Sequence, residues 1–232
     1  MTIFELQHRF NLEMEKHGIT DPVMSTIIED YINYAYQRYI TDKYDSLIND
    51  VEKFEITERI SRILAPLLKD YSTTVFVAST TLDDNGYYAD GPPDLQYITA
   101  ERAILSMTDC NGNAISRSAR LIPTKHNMVS TNKNNPFLRP DKDDNEIWRL
   151  NIYSNRIEFI IYDDAVLSSY KCRYIKKQTP VSFNPVAPAT GEMEIDSSVH
   201  EEIVIAAAYM YLSDLRNNKQ KENAEQVQAS KD

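Results

Sequence analysis

YITAERAILSMTDCNGNAISRSARLI, residues 97–122, decides the fold. Two strand-like arms, 97–108 and 114–122, flank Asn111-Gly112, the strongest short hairpin signal, because both residues tolerate the positive φ of a type I′ turn. A β-hairpin is predicted there. Working outward, the apolar period changes from 3.6 to 2 after Asp70, so that 73–78 reads as a strand, Asp83-Asp84-Asn85-Gly86 as a turn and Gly91-Pro92-Pro93-Asp94 as an entry loop. Downstream, 123–127 suits a short helical turn, and a polar loop with Asn-Pro and Arg-Pro steps reaches Asp144. Trp148, Leu150 and Ile152 then alternate with Arg149 and Asn151. Ser154-Asn155 turns the chain, and Ile157, Phe159 and Ile161 return on the inner face. Residues 166–176 complete a meander, with Tyr170, Cys172 and Tyr174 on one face and Lys171 and Arg173 on the other.

Helices bracket this middle. Thr2 with Glu5 fits a capping box, and Ile3, Leu6, Phe10 and Met14 keep one apolar face until His17-Gly18 closes the first helix. Thr20-Asp21 followed by Pro22 reads as an N-cap with proline at the first helical position of a second helix, 23–48, about 40 Å long. Its apolar positions wrap more than one stripe, which implies two buried surfaces. A third helix, 52–69, turns Ile60, Ile63, Leu64, Leu67 and Leu68 inward, with Pro66 bending its last turn. After the break at 180–191, Ser197 or Ser198 caps a C-terminal helix with Glu201 and Glu202 in its first turn and an Ala-rich centre. Beyond it the chain is polar, either a solvated helical extension or a disordered tail.

The expected fold class is α+β: an N-terminal helical hairpin plus third helix (1–70), a central antiparallel β-sheet (71–196, with the long loop 125–146), a C-terminal helix packed on the helical part (197–218) and a polar tail (219–232). At 232 residues the chain can bury about 70% of its unfolded surface without a metal or disulfide. A mean hydropathy of -0.49 and the lack of a long apolar run predict no membrane span. The first residues lack the cationic start and apolar run of a signal peptide, so synthesis in the cytoplasm and reduced Cys110 and Cys172 are expected. With 35 acids against 25 bases, a net charge of -10 argues against a protein that grips nucleic acid, because such binding is largely phosphate neutralisation by Lys and Arg.

The sequence sets aside little for chemistry. Asp141, Asp143 and Asn145 begin like an EF-hand loop, but its sixth position is Glu146 and its twelfth Ile152. His8, His17, His126 and His200 stand apart, without the partner a zinc site uses. Five glycines make no phosphate cradle, dinucleotide fingerprint or nucleophile elbow. No catalytic residue, metal site or cofactor is predicted. The positive signal is tyrosine, fifteen residues against seven Phe and one Trp. Tyr suits a surface wet in the monomer and dry in an assembly. Tyr31, Tyr34, Tyr36, Tyr39 and Tyr44 fall within one helix that turns 100° per residue, so they cannot all face one core. Tyr34, Tyr36 and Tyr39 are the candidate contacts to another subunit, and Phe137 and Arg139 are candidates in the polar arm 125–146.

The phrases DYINYAYQRYITDKYDSL and FEITERISRILAPLL, the middle NPFLRPDKDDNEIWRLNIYSNRIEFIIYDD, the strand end RYIKKQTPV and the closing HEEIVIAAAYMYLSDL resemble neck-ring or head-to-tail connector proteins of tailed bacteriophages, closest to those of crAss-like phages that infect Bacteroides. The likeness covers most of the chain and includes no catalytic motif. It implies a structural virion protein, a homo-oligomeric ring, a dodecamer, stacked with the portal protein and neighbouring ring or tail proteins, through which genomic DNA passes without specific binding. On that reading the loop acids Asp83, Asp84, Asp163 and Asp164 are candidates to face the lumen. A tail-associated receptor-binding or adhesion module is the alternative.

Overall fold

A computed structural model describes residues 1–49, 54–79, 86–108, 111–132, 135, 139–140, 145–152, 156–161, 165–183 and 192–229. It divides the chain into a helical unit, Met1–Leu67 with Gln178–Asp232, and a sheet unit, Leu68–Lys177.

In the helical unit the Thr2 N–H donates to the Glu5 carboxylate at 2.7 Å and the Glu5 N–H to Thr2 Oγ1 at 3.4 Å, the reciprocal cap that starts α1 (Ile3–Lys16). Gly18, at φ +80°, ends it: the Gly18 N–H reaches the Glu15 carbonyl and the Ile19 N–H reaches Met14. A side chain in that left-handed backbone would be strained, which is why glycine stands there. The second helix, α2 (Ser25–Asn49), begins later than the Pro22 signal indicates. Its first bonds, from Ile27 and Ile28, both go to the Met24 carbonyl, and the preceding stretch carries Val23 into the core before the helix starts. The third, α3 (Phe54–Leu64), stops short of residue 69. Pro66 has no N–H to continue the ladder, so Ala65–Leu67 tightens into a 3₁₀ turn and Leu68 and Lys69 leave as strand.

The last helix is capped by Asp196 instead of Ser197 or Ser198. Its carboxylate accepts the Ser198 N–H at 2.9 Å and opens a 3₁₀ turn, Ser197–Val199, ahead of the last helix of the chain, α5 (His200–Ala229). This helix runs past residue 218 because the polar stretch contains good helix formers and neither Gly nor Pro. It packs on α1 and α2, where Tyr211 meets Phe10 at 6.1 Å and Tyr31 at 5.3 Å between ring centres. Ala207 and Ala208, fully buried, let the helices approach closely. Asn33 fixes the chain leading back from the sheet unit by exchanging hydrogen bonds with the Val181 backbone at 2.7 and 2.9 Å.

The sheet unit contains β1 (Leu68–Thr73), β2 (Val77–Ser79), β3 (Gly86–Asp90), β4 (Leu95–Thr108), β5 (Ala114–Pro123), α4 (His126–Asn132), β6 (Glu146–Ile152), β7 (Arg156–Ile160) and β8 (Ala165–Lys176), in the spatial order β1-β8-β4-β5-β6-β7-β3-β2. The stretch 73–78 is not one strand. The Thr73 hydroxyl accepts the Val75 N–H at 3.1 Å and turns the chain out between β1 and β2. The β4–β5 hairpin forms with Thr108 opposite Ala114, but of the turn pair only Gly112 takes a positive φ, +83°, so the turn is wider than the two-residue type I′ form.

Two pairings differ from an antiparallel meander. Strands β5 and β6 are parallel, which the 22-residue connection through α4 permits. Strand β8 lies between β1 and β4 instead of beside β7, since only the 14-residue β4 offers its 12 residues a partner of matching length. The sheet curls so that one face of β3 to β8 encloses a single apolar cluster that includes Leu105, Ile147, Phe159, Leu167 and Tyr170. On the other face of β6 and β7, Trp148, Leu150 and Ile160 pack with Val129 of α4.

Candidate subunit-contact surfaces

The helical period separates the three candidate tyrosines. Tyr36 lies inside the helical unit with none of its surface exposed and offers a neighbour nothing to touch. That corrects its place among the contacts, because two helical steps of 100° set it on the opposite side of α2 from Tyr34. Tyr39 is half-buried: its hydroxyl donates to Glu202 at 3.3 Å, and Lys43 Nζ sits 4.8 Å above its ring. Tyr34 is 60% exposed, whereas Tyr31, Tyr36, Tyr39 and Tyr44 of the same helix are half-buried or buried. Arg139 is exposed on its arm, with its N–H bonded to the Asn135 carbonyl at 3.0 Å, and Phe137 lies outside the described residues.

Tyr34 forms one wall of a groove of about 550 Å³ along the seam of α2 and α5, which Asp30, Tyr31, Met210, Ser213 and Asp214 complete. The Tyr31 hydroxyl donates to Asp214 at 2.7 Å and so fixes one wall. Asp30 is exposed at the other. Burial, then the bond to Asp214, pushes the Tyr31 phenol up to about 12; burial, then the Glu202 carboxylate, does the same to Tyr39. Both values lie above the ordinary 10.0. The folded state therefore holds these protons more tightly, and the stability they contribute is complete below pH 10 and lost as pH rises through 10 to 12. Unfolding by urea at stepped alkaline pH should show that fall, and Tyr31→Phe with Tyr39→Phe should make it shallower, the remainder coming from the other raised phenols, Tyr36, Tyr170 and Tyr174. Stability level across this range would contradict the assignment.

Charge divides unevenly between the units. The helical unit holds 21 acids against 11 bases, whereas the sheet unit holds 14 of each, so the net charge of -10 belongs to the helices. Within the sheet unit the charges are sorted. On the outer face Arg102 of β4 stands directly opposite Lys171 of β8, with Arg173 two residues along and paired to Asp70 at 2.8 Å. These residues line a shallow concavity of about 440 Å³ with Ser72 and Ala100. The strand ends flanking 80–85, 109–113 and 162–164 point to the same side of the sheet: Met107 pairs with Ala165 and Thr108 with Ala114 at one level, and Gly86 pairs with Ile160 at another, opposite Ile122 farther along β5. Those three segments contain Asp83, Asp84, Asp109, Asp163 and Asp164 and no base. Asp83, Asp84, Asp163 and Asp164 themselves lie outside the described residues.

The sequence does not reveal the groove or the Arg102–Lys171 pair. The groove needs the seam between helices about 180 positions apart, and the cation pair needs the β4–β8 register; only the outward side of Lys171 and Arg173 is readable from alternation. Among the described residues no group of three His, Cys, Asp or Glu side chains could hold a metal, and no helix is long and apolar enough to cross a membrane. Cys172 is buried, and burial pushes its thiol up, which makes it a poor nucleophile. A family model described as Phage tail ring protein 3/4 matches residues 1–223. No curated protein matches the chain.

Proposed function

The chain belongs to the phage tail ring protein 3/4 family, and from that premise we propose that it is one subunit of a closed ring, a dodecamer, in the neck between portal and tail, through whose axial hole the genome passes. The observation that carries the assembly reading is Tyr34, a large aromatic left 60% exposed beside an acidic groove on helices whose opposite sides are fully packed. Copies join head to tail, a heterologous contact that closes when its rotation divides the circle. The arm 125–146, apart from Val129 which packs on β6, and the end of α5 are polar in sequence and reach the portal and the neighbouring ring or tail proteins.

Asp83, Asp84, Asp163 and Asp164 face the lumen in this proposal. Their flanking strands end at one side of the sheet unit without a compensating base, and a carboxylate wall repels phosphates, which favours passage over capture. Tyr34→Ala tests the contact. It should change the unfolding free energy of the subunit by about 0.5 kcal/mol or less, as expected of a surface position. Ring formation should weaken by about 2 kcal/mol, the usual effect of truncating an aromatic anchor. Unaltered assembly by sedimentation would remove Tyr34 from the interface.

A further inference from the structure

We infer that the ring contact seats the cationic outer sheet face of one copy, around Arg102 and Lys171, on the acidic aromatic groove between α2 and α5 of the next. The inference rests on the ring reading and specifies which surfaces meet. Three observations lead to it. First, Arg102 and Lys171 are direct cross-strand partners on the exposed face, an arrangement of like charges that costs stability in a lone sheet. Neither forms an ion pair with a described residue; Arg102 Nε is 2.7 Å from Ser118 Oγ, and Arg173 beside them is already held by Asp70. Such a local violation is expected where a surface is made for a partner.

Second, the partner must be anionic, and the negative charge of this chain is concentrated in its helical unit, 21 acids against 11 bases. Third, the groove supplies what an Arg and a Lys recognise: the exposed Asp30 carboxylate, the Asp214 carboxylate, and the exposed Tyr34 ring, over whose face a cation is attracted. The two surfaces differ, so each copy presents one of each and the contact is heterologous, as a closed ring requires.

The pairing predicts a mixing experiment with the full chain. Arg102→Glu with Lys171→Glu makes an anionic sheet face, and Asp30→Lys with Ser213→Lys makes a cationic groove while leaving the Tyr31–Asp214 bond in place. Both sets sit on exposed positions, and unchanged melting of each subunit checks that they fold. Each variant alone should lose rings in electron micrographs. An equimolar mixture should restore them, because copies can then alternate with complementary charge at every contact. Rings from either variant alone, or no rescue on mixing, would overturn the pairing while leaving ring assembly by the unmodified chain intact. If the sheet variant keeps its rings but loses affinity for a short DNA duplex, the cations serve phosphates and the pairing is wrong. Failure of the unmodified chain to form rings, alone or on portal-containing particles, would overturn the ring reading and this inference with it.

Discussion

Replacing Arg149 with alanine should destabilise the sheet unit by about 3–5 kcal/mol, the usual consequence of leaving one member of a buried ion pair alone. Arg149 projects from β6 toward the enclosed cluster, where its Nε lies 3.0 and 2.9 Å from the two carboxylate oxygens of Glu101, and the side chains are only 9% and 12% exposed. Glu101 also accepts the Tyr170 hydroxyl at 3.1 Å, and burial, then that carboxylate, drives the Tyr170 phenol well above its ordinary range. Removing the guanidinium leaves the Glu101 carboxylate, 12% exposed, with the Tyr170 hydroxyl as its side-chain donor among the described residues. The companion test is Arg149→Met with Glu101→Leu. A buried pair contributes little net stability over apolar residues of similar size, so the double variant should recover most of the loss. Equilibrium urea unfolding of the single and double variants decides it. A loss below about 1 kcal/mol for Arg149→Ala would show that the pair is effectively solvated.

Tyr36→Ala should cost a similar amount, about 3–5 kcal/mol, by emptying an aromatic-sized space in the helical unit. Tyr36 is among the largest fully buried side chains, with Ile32 and Ile40, equally buried, one turn to either side on α2. Its phenol is raised well above the ordinary value by burial and then by the nearby Glu194 carboxylate. Tyr36→Phe keeps the ring and removes a buried hydroxyl that has no hydrogen-bond partner among the described residues, so it should be close to neutral or slightly stabilising. Thermal unfolding separates the two. A mild Tyr36→Ala with lost assembly would instead place this residue at a subunit contact.

The α+β class was readable because it is written in local chemistry. The Thr2–Glu5 capping box, Gly18 and the hairpin strands around Asn111-Gly112 need no distant partner, and each forms where the sequence puts it. The alternation through Trp148 and Phe159 does give two paired strands, but their register sets Phe159 opposite Arg149, so Trp148 and Leu150 lie on the other face from Phe159 and Arg149 turns inward. Errors arise where a non-local partner overrides a local signal. Pro22 is a legitimate helix start, yet burial of Val23 defers the helix to Ser25. Nothing around 146–152 announces a parallel strand, because the parallel pairing is set by the crossover through α4 and not by composition. Likewise β8 carries the right faces but pairs with β4, a choice that strand length decides. At the candidate contact surfaces, tyrosine enrichment pointed to α2, while helical phase decided which ring remains outside. Tyr34 and Tyr36 have the same side chain, and tertiary packing tells them apart: Tyr36 is buried close to Glu194 and Ile195 of the segment before α5, whereas Tyr34 stays at the open rim of the α2–α5 seam.

Electron microscopy of the purified full-length chain, alone and added to portal-containing particles, tests the central claim most directly. The account predicts closed rings with an axial hole, in solution or seated on the portal end of the particles. A chain that remains a monomer by native mass spectrometry and adds no density to the particles contradicts it.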